Sequence, residues 1–327
     1  MNLTHAQLTT LAASSGHHLE PLERVLRLID LLNALRAHPF LGPRLALKGG
    51  TALNLFIFEL PRLSVDIDLN YIGATDRTTM LKERPVLEQA LRAVCARQDL
   101  RVRVARNKPE GFKWELPYTR STGQAGILEL DLNFVLRVPL WPAVTLDSRS
   151  VVGHRAESIA VLDVYELAAG KLAAAFSREK SRDLFDLRAL LERGDLNIER
   201  LRLGFVAYGG MRRTDWRDLT VDRLTTTVES VHAELIPMLR RDLAPAQSDL
   251  RGWTQRLIDR CRALASSLLP LRAEEREFLT LLNERGELRP DLLTSDPQLQ
   301  TRLSAHPMLL WKQLNVREHR GAPDEPC

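Results

Sequence analysis

The sequence predicts an α+β fold, with a mixed-sheet domain over residues 1–160 and a helical domain over residues 161–327. Three observations carry this expectation. Apolar residues recur at helical spacing before residue 40 and alternate at strand spacing in several segments between 45 and 135. From Val164 onward only helical patterns follow. A chain of 327 residues suits two domains.

In residues 19–38, Leu22, Val25, Leu26, Ile29, Leu32 and Leu35 share a helical period, with Arg24, Arg27 and Asp30 between them. The apolar run Leu45-Ala46-Leu47 reads as a short strand entering Lys48-Gly49-Gly50-Thr51. Paired glycines there mark a tight turn with exposed backbone amides, followed by a short helix over 52–58. Residues 63–72 read as a strand in which Ser64, Asp66, Asp68 and Asn70 alternate with Val65, Ile67, Leu69 and Tyr71. A helix over 80–98 follows, then strands over 101–105, 112–118 and 126–135, with a hairpin loop at 107–111. Asp163 followed by Glu166 has the form of a capping box. It opens helices over 164–176, 183–192, 221–239, 253–268, 273–284 and 297–314. Residues 242–248 read as a linker and 318–327 as a frayed tail.

Bulk properties exclude several classes. Apolar content of 44% and charged content of 27% are those of an ordinary globular protein. No apolar run is long enough to span a membrane, and the start lacks the pattern of a signal peptide. Cys95, Cys261 and Cys327 are far apart, without Cys or His partners at metal-ligand spacing. A soluble, cytoplasmic protein is expected, monomeric by default. The net charge of +4 permits a polyanionic partner without requiring one.

The central chemical signal is Gly49-Gly50-Thr51 followed by Asp66-Ile67-Asp68. Two residues apart on a strand, both carboxylates face one way. Adjacent like charges call for a cation between them, and Mg²⁺ (or Mn²⁺) prefers such oxygen ligands together with substrate phosphates. The Gly-Gly turn offers amides for a triphosphate, and Thr51 a hydroxyl. A third acid would complete a two-metal site. Glu129, Asp131 and Asn133 share one face of their strand, and Asp131 is the expected acid, with Glu129 the alternative.

The run from Leu47 to Leu53 with Lys48-Gly49-Gly50-Thr51, then Arg62-Leu63-Ser64-Val65-Asp66-Ile67-Asp68, resembles the AbiEii/MenT-type nucleotidyltransferase toxins. A second block, Glu166 to Ala175 with Gly170-Lys171, then Arg178 and Arg182-Asp183-Leu184-Phe185-Asp186, agrees with it. The resemblance covers about residues 45–190. It implies a DNA polymerase β-like nucleotidyltransferase fold and an NTP-dependent toxin of a type IV toxin–antitoxin pair. Such a toxin modifies the 3′ acceptor end of tRNA, blocking aminoacylation and translation. On this resemblance Asp66 and Asp68 hold Mg²⁺, Lys171 contacts the NTP phosphates, and Asp186 supports the site; read from the residues, Arg178 is either a phosphate clamp or a surface charge. Ser64 matches a position that an antitoxin phosphorylates in some relatives, where added charge would repel the NTP.

Read from the residues alone, Lys171 either snorkels to solvent or enters a site. Asp183 is the expected helix cap, with a local Arg182–Asp183 salt bridge as the alternative. Arg212-Arg213 near Trp216 forms either a solvated loop or an RNA contact. Two other readings stay open: transfer to a protein or small-molecule hydroxyl, and a silent binding module. No Ser-His-Asp order, His-Glu-x-x-His or Walker-type Gly-Lys-Ser supports a hydrolase or P-loop enzyme.

Overall fold

The computed structural model describes residues 3–321. The strands are β1 (Leu45–Lys48), β2 (Asp66–Tyr71), β3 (Arg103–Lys108), β4 (Gly111–Thr119), β5 (Ala125–Asn133), β6 (Val144–Leu146) and β7 (Ile159–Val161). They form one mixed seven-stranded sheet in the order β3-β4-β5-β2-β1-β7-β6. The β2–β5 and β1–β7 pairs are parallel, and the other pairs antiparallel. With 54% of residues helical, the chain is α+β.

The helices before and within the sheet region are α1 (His5–Ser15), α2 (Leu19–Ala37), α3 (Gly49–Ala52) and α4 (Arg77–Arg97). Those after it are α5 (Val164–Ala175), α6 (Ser181–Leu191), α7 (Ile198–Gly210), α8 (Val228–Ser230), α9 (Leu250–Ala265), α10 (Ala273–Thr280), α11 (Pro297–Ala305) and α12 (Pro307–Gly321). One connected set of buried apolar residues runs from Leu8 to Leu309. None of the described helices is long and apolar enough to cross a membrane.

Several elements depart from the sequence reading. Helix α1 was not expected, because it buries only Leu8 and Ala12 and shows little periodicity. Helix α7 was hidden by Gly204, Gly209 and Gly210. A Cβ on Gly209 would stand 2.4 Å from the Trp216 ring, so packing requires that glycine. Trp216 is buried there and is not an exposed aromatic beside Arg212-Arg213. Strands β6 and β7 have three residues each, too few to show alternation. The helix expected over 221–239 is instead a chain of short turns around α8, the last spanning Ile236–Met238 with Pro237 inside it. The helix expected over 297–314 breaks at His306, ahead of Pro307, which cannot continue the backbone ladder. The expected linker at 242–248 is bracketed by two 3₁₀ turns. Of the expected frayed tail, residues 318–321 continue α12, while 322–327, with Cys327, lie outside the described residues.

Candidate active site

The parallel pairing of β2 with β5 sets Asp66 beside Glu129 and Asp68 beside Asp131. Side chains alternate along a strand, so all four carboxylates share one face of the sheet. Cations flank them. Lys113 on β4 lies opposite Asp131 and pairs with Glu129 at 2.7 Å. Arg106 reaches Asp131 at 3.3 Å, and Arg182 reaches Asp66 at 3.9 Å. Burial, then the Asp68 charge, pushes the Asp66 carboxyl up from its ordinary range. Asp131 is also pushed up, by burial first, with Lys48 opposing and Asp68 adding to the shift. Glu129 has Lys113 at close range, whereas Asp131 stands next to Asp68 with a more distant Arg.

The glycine turn brings backbone against these acids. Gly49 has φ +75°, and a Cβ there would lie 2.4 Å from Asp68 Oδ2. A Cβ on Gly50 would meet Arg62 Nη2 and Ser64 Oγ, each at 2.9 Å. Only glycine leaves this concave space open. Thr51 is fully buried, and its hydroxyl donates to the Asp66 carbonyl at 2.5 Å. That hydroxyl ties the turn to β2 and does not enter the cleft.

Helices α5 and α6 supply the opposite wall. Lys171 on α5 is buried, with Nζ 2.8 Å from Asp183 Oδ1 and 2.9 Å from Asp186 Oδ2. It does not snorkel. Arg62 grips Asp186 in a fork, Nε to Oδ1 at 2.7 Å and Nη2 to Oδ2 at 2.6 Å, and Asn54 donates to the same Oδ1 at 3.1 Å. Burial alone would raise Asp186, but the Arg62 and Lys171 charges outweigh it and hold the carboxyl well below its usual range. The same opposition, with Lys171 and Arg178 prevailing over burial, lowers Asp183. Arg178 donates from Nε to Asp183 Oδ2 at 2.5 Å while 60% of its side chain is exposed.

Three local expectations are corrected. Asp183 does not cap α6: the N-cap position is Lys180, without a side-chain bond, and Asp183 is taken by Lys171 and Arg178. Arg182 therefore faces Asp66, not Asp183. Asp163 does cap α5 through Tyr165 N, but Glu166 does not close a capping box. It accepts from Leu140 N at 2.7 Å, Trp141 N at 3.3 Å and Tyr208 Oη at 2.7 Å, deep in the core.

The two walls enclose a cleft of about 320 Å³. It gathers Gly50, Ser64, Asp66, Asp68, Asp131, Lys171 and Arg178 from the sequence reading, together with Glu129. Gly49, Thr51 and Asp186 support it from behind. Sequence reasoning named Arg62 and Arg182 without a role in the cleft and passed over Lys113 and Lys180, and all four line it. The alternation of Lys113 and Glu115 with Phe112 and Trp114 was the available signal for Lys113. The donor set is all hard oxygen, and the Asp66–Asp68 repulsion is relieved by a cation, so it fits Mg²⁺ or Mn²⁺. Among the described residues no three His, Cys, Asp or Glu side chains are gathered into a ready cage. An ion there would take one or two carboxylates and complete its shell with substrate oxygens and water.

The comparisons with known proteins agree with this geometry. A comparison with curated proteins finds no match. Among solved structures the chain is similar to MenT4, a nucleotidyltransferase toxin from Mycobacterium tuberculosis H37Rv. The TM-score is 0.60 at 21% identity, covering 93% of this chain and 99% of that one, a likeness of fold. Residues 30–283 match the family described as "Nucleotidyl transferase AbiEii toxin, Type IV TA system". That stretch holds the sheet, the glycine turn, the acids and the α5–α6 wall, and the chain belongs to the AbiEii nucleotidyltransferase toxin family.

Proposed function

We propose that this nucleotidyltransferase moves a nucleoside monophosphate from an NTP to the 3′ hydroxyl at the acceptor end of tRNA, blocking aminoacylation and translation. The observation that carries the reading is the in-register row Asp68–Asp131 beside the Gly49-Gly50 turn, in a cleft rimmed by cations. Asp66 and Asp68 hold Mg²⁺ or Mn²⁺, and Asp131 is the third acid. The bound ion supplies charge stabilisation at the reacting phosphate and its leaving group.

The acceptor oxygen forms a bond to the α-phosphorus as the bond to the β-phosphate oxygen breaks and pyrophosphate leaves. Asp131, with its carboxyl pushed up by burial, takes the hydroxyl proton. The Gly49 and Gly50 amides and the exposed Arg178 cradle the triphosphate. Lys171 has two of its three N–H donors on Asp183 and Asp186 and offers the third to a phosphate oxygen. Asp186 and Arg62 position Lys171 from behind. Residues 161–327, read as a second domain, contribute Lys171 and Asp186 to the cleft.

A basic rim favours RNA over a small cationic acceptor: Lys180 and Arg182 join Lys113 and Arg178 there. The type IV toxin–antitoxin family implies an antitoxin partner. Ser64 lines the cleft, and phosphate on its hydroxyl would place negative charge beside Asp66 and exclude the NTP. We read the toxin as a cytoplasmic monomer.

Periodate-oxidised tRNA, which lacks the 3′ diol, tests the acceptor. Label from α-³²P NTPs is expected on intact tRNA and absent from oxidised tRNA. Equal labelling of both would place the acceptor elsewhere. Labelling of protein or small molecules alone would replace tRNA as substrate.

A further inference from the structure

The β3–β4 hairpin carries chemistry that the transfer reaction does not yet use. Residues 101–115 hold Arg101, Arg103, Arg106, Lys108 and Lys113 against only Glu110 and Glu115. Fifteen residues thus contribute most of the chain's net charge of +4. Strand β3 is the sheet edge, and each of its residues is exposed.

The register explains where those cations point. Arg103 lies opposite Glu115 and Val104 opposite Trp114, but Arg106, not Ala105, lies opposite Lys113. Ala105 is therefore the extra residue of a bulge. In a regular strand, residues three apart face opposite sides. The bulge brings Arg103 and Arg106 onto one face, as bulges beside functional sites often do. That is the face of the carboxylates. Arg106, Lys113, Asp131 and Asp68 form a row across β3, β4, β5 and β2. At the usual strand spacing, Arg106 starts about 14 Å from Asp68.

We infer that Arg103, Arg106 and Lys113 form a phosphate track for the acceptor strand, which receives its backbone upstream of the reacting 3′ hydroxyl. This rests on the nucleic-acid reading above. The cleft then has two unlike lips. The α5–α6 lip, with Lys171 and Arg178 beside the glycine turn, takes the compact triphosphate. The hairpin lip leads to Asp131, the acid assigned to the acceptor hydroxyl, and so serves the acceptor. Side chains of Arg103 and Arg106 are 64% and 48% exposed, and their partners are Glu115 and Asp131. Exposed pairs of this kind contribute little and exchange readily for phosphate. Phosphate contacts fix register without reading sequence, which suits a shared RNA terminus.

The test is an Arg103→Ser/Arg106→Ser variant assayed with total bacterial tRNA and labelled NTP, its melting temperature confirming the fold. The KM for tRNA should rise about tenfold or more, and the salt dependence of tRNA binding should lose about 1.4 in log–log slope, two phosphate contacts' worth. The KM for NTP should stay within about twofold. Arg103→Lys/Arg106→Lys should keep most of the tRNA affinity, because a point charge suffices. Wild-type transfer to tRNA with an unchanged tRNA KM in the serine variant overturns the track and leaves the transferase intact. No transfer to tRNA by the wild type overturns the acceptor reading and the track with it.

Discussion

Arg62 holds both carboxylate oxygens of Asp186, at 2.7 and 2.6 Å, and both side chains are withdrawn from solvent. The pair joins the segment before β2 to helix α6, and Lys171 completes it from α5. Three separate stretches of chain thus meet on one carboxylate, and the fold places Lys171 at the cleft through it.

Breaking that pair should unfold before it merely slows. Arg62→Ala leaves Asp186 buried with fewer cations, and removing one partner of a buried ion pair costs about 3–5 kcal/mol. Chemical denaturation should show that loss. A cost under about 1 kcal/mol, the range of exposed pairs, would contradict the burial assigned here.

Asp66 should behave in the opposite sense. Its carboxyl is raised by burial and by Asp68, so its ionised form at neutral pH opposes folding. Asp66→Asn removes that repulsion, and the variant should melt at or above the wild-type temperature while losing transfer. A destabilised Asp66→Asn would make Asp66 a structural residue.

Acid stability follows from the depressed acids. Asp183 and Asp186 titrate below their ordinary value of 3.8 when folded. Their contribution is complete above that value and drains away as pH falls through the folded values. Melting temperature should drop steeply below about pH 4, and Asp183→Asn should flatten that limb.

Glu166 gives the reverse slope. Burial raises it from 4.5 to about 7, against the hydrogen bonds from Tyr208, Leu140 and Trp141. Between those values the folded state binds more proton than the unfolded, so stability declines as pH rises toward neutrality. Glu166→Gln, whose one oxygen keeps the Leu140 and Trp141 amides while its NH2 donates to the Tyr208 hydroxyl, should flatten that decline in a pH series of melts. A pH-independent wild type over that window would show Glu166 ionised throughout.

The glycine turn has a conformational test. Gly49→Ala meets both a positive φ and a Cβ 2.4 Å from Asp68 Oδ2. The strain alone costs about 1–3 kcal/mol, and displacement of Asp68 should abolish transfer. Full activity would show that Asp68 need not hold this position.

Local chemistry was legible where spacing dictates it. Asp66 and Asp68 share a face because strands alternate, and the paired glycines mark a turn where a Cβ on Gly49 would meet Asp68 and one on Gly50 would meet Arg62 and Ser64. Asp131 was expected, and its row with Asp68 depends on a parallel β2–β5 pairing that no local pattern encodes. Asp183 and Arg182 were misread for a related reason. Their partners, Lys171 and Asp66, come from other elements, and an i,i+1 or cap reading sees only the helix. Helix α7 was hidden because its glycines serve close packing, Gly209 against Trp216, Gly204 against Ala169 and Trp141, and Gly210 against Leu282, not backbone freedom.

Transfer by the paired carboxylates is measured with purified protein, Mg²⁺, each α-labelled NTP in turn and total bacterial tRNA, beside Asp66→Ala. Label should appear on tRNA with one or more NTPs and be absent from the variant. Label that persists in Asp66→Ala would contradict this, because the paired carboxylates would then have no part in the transfer.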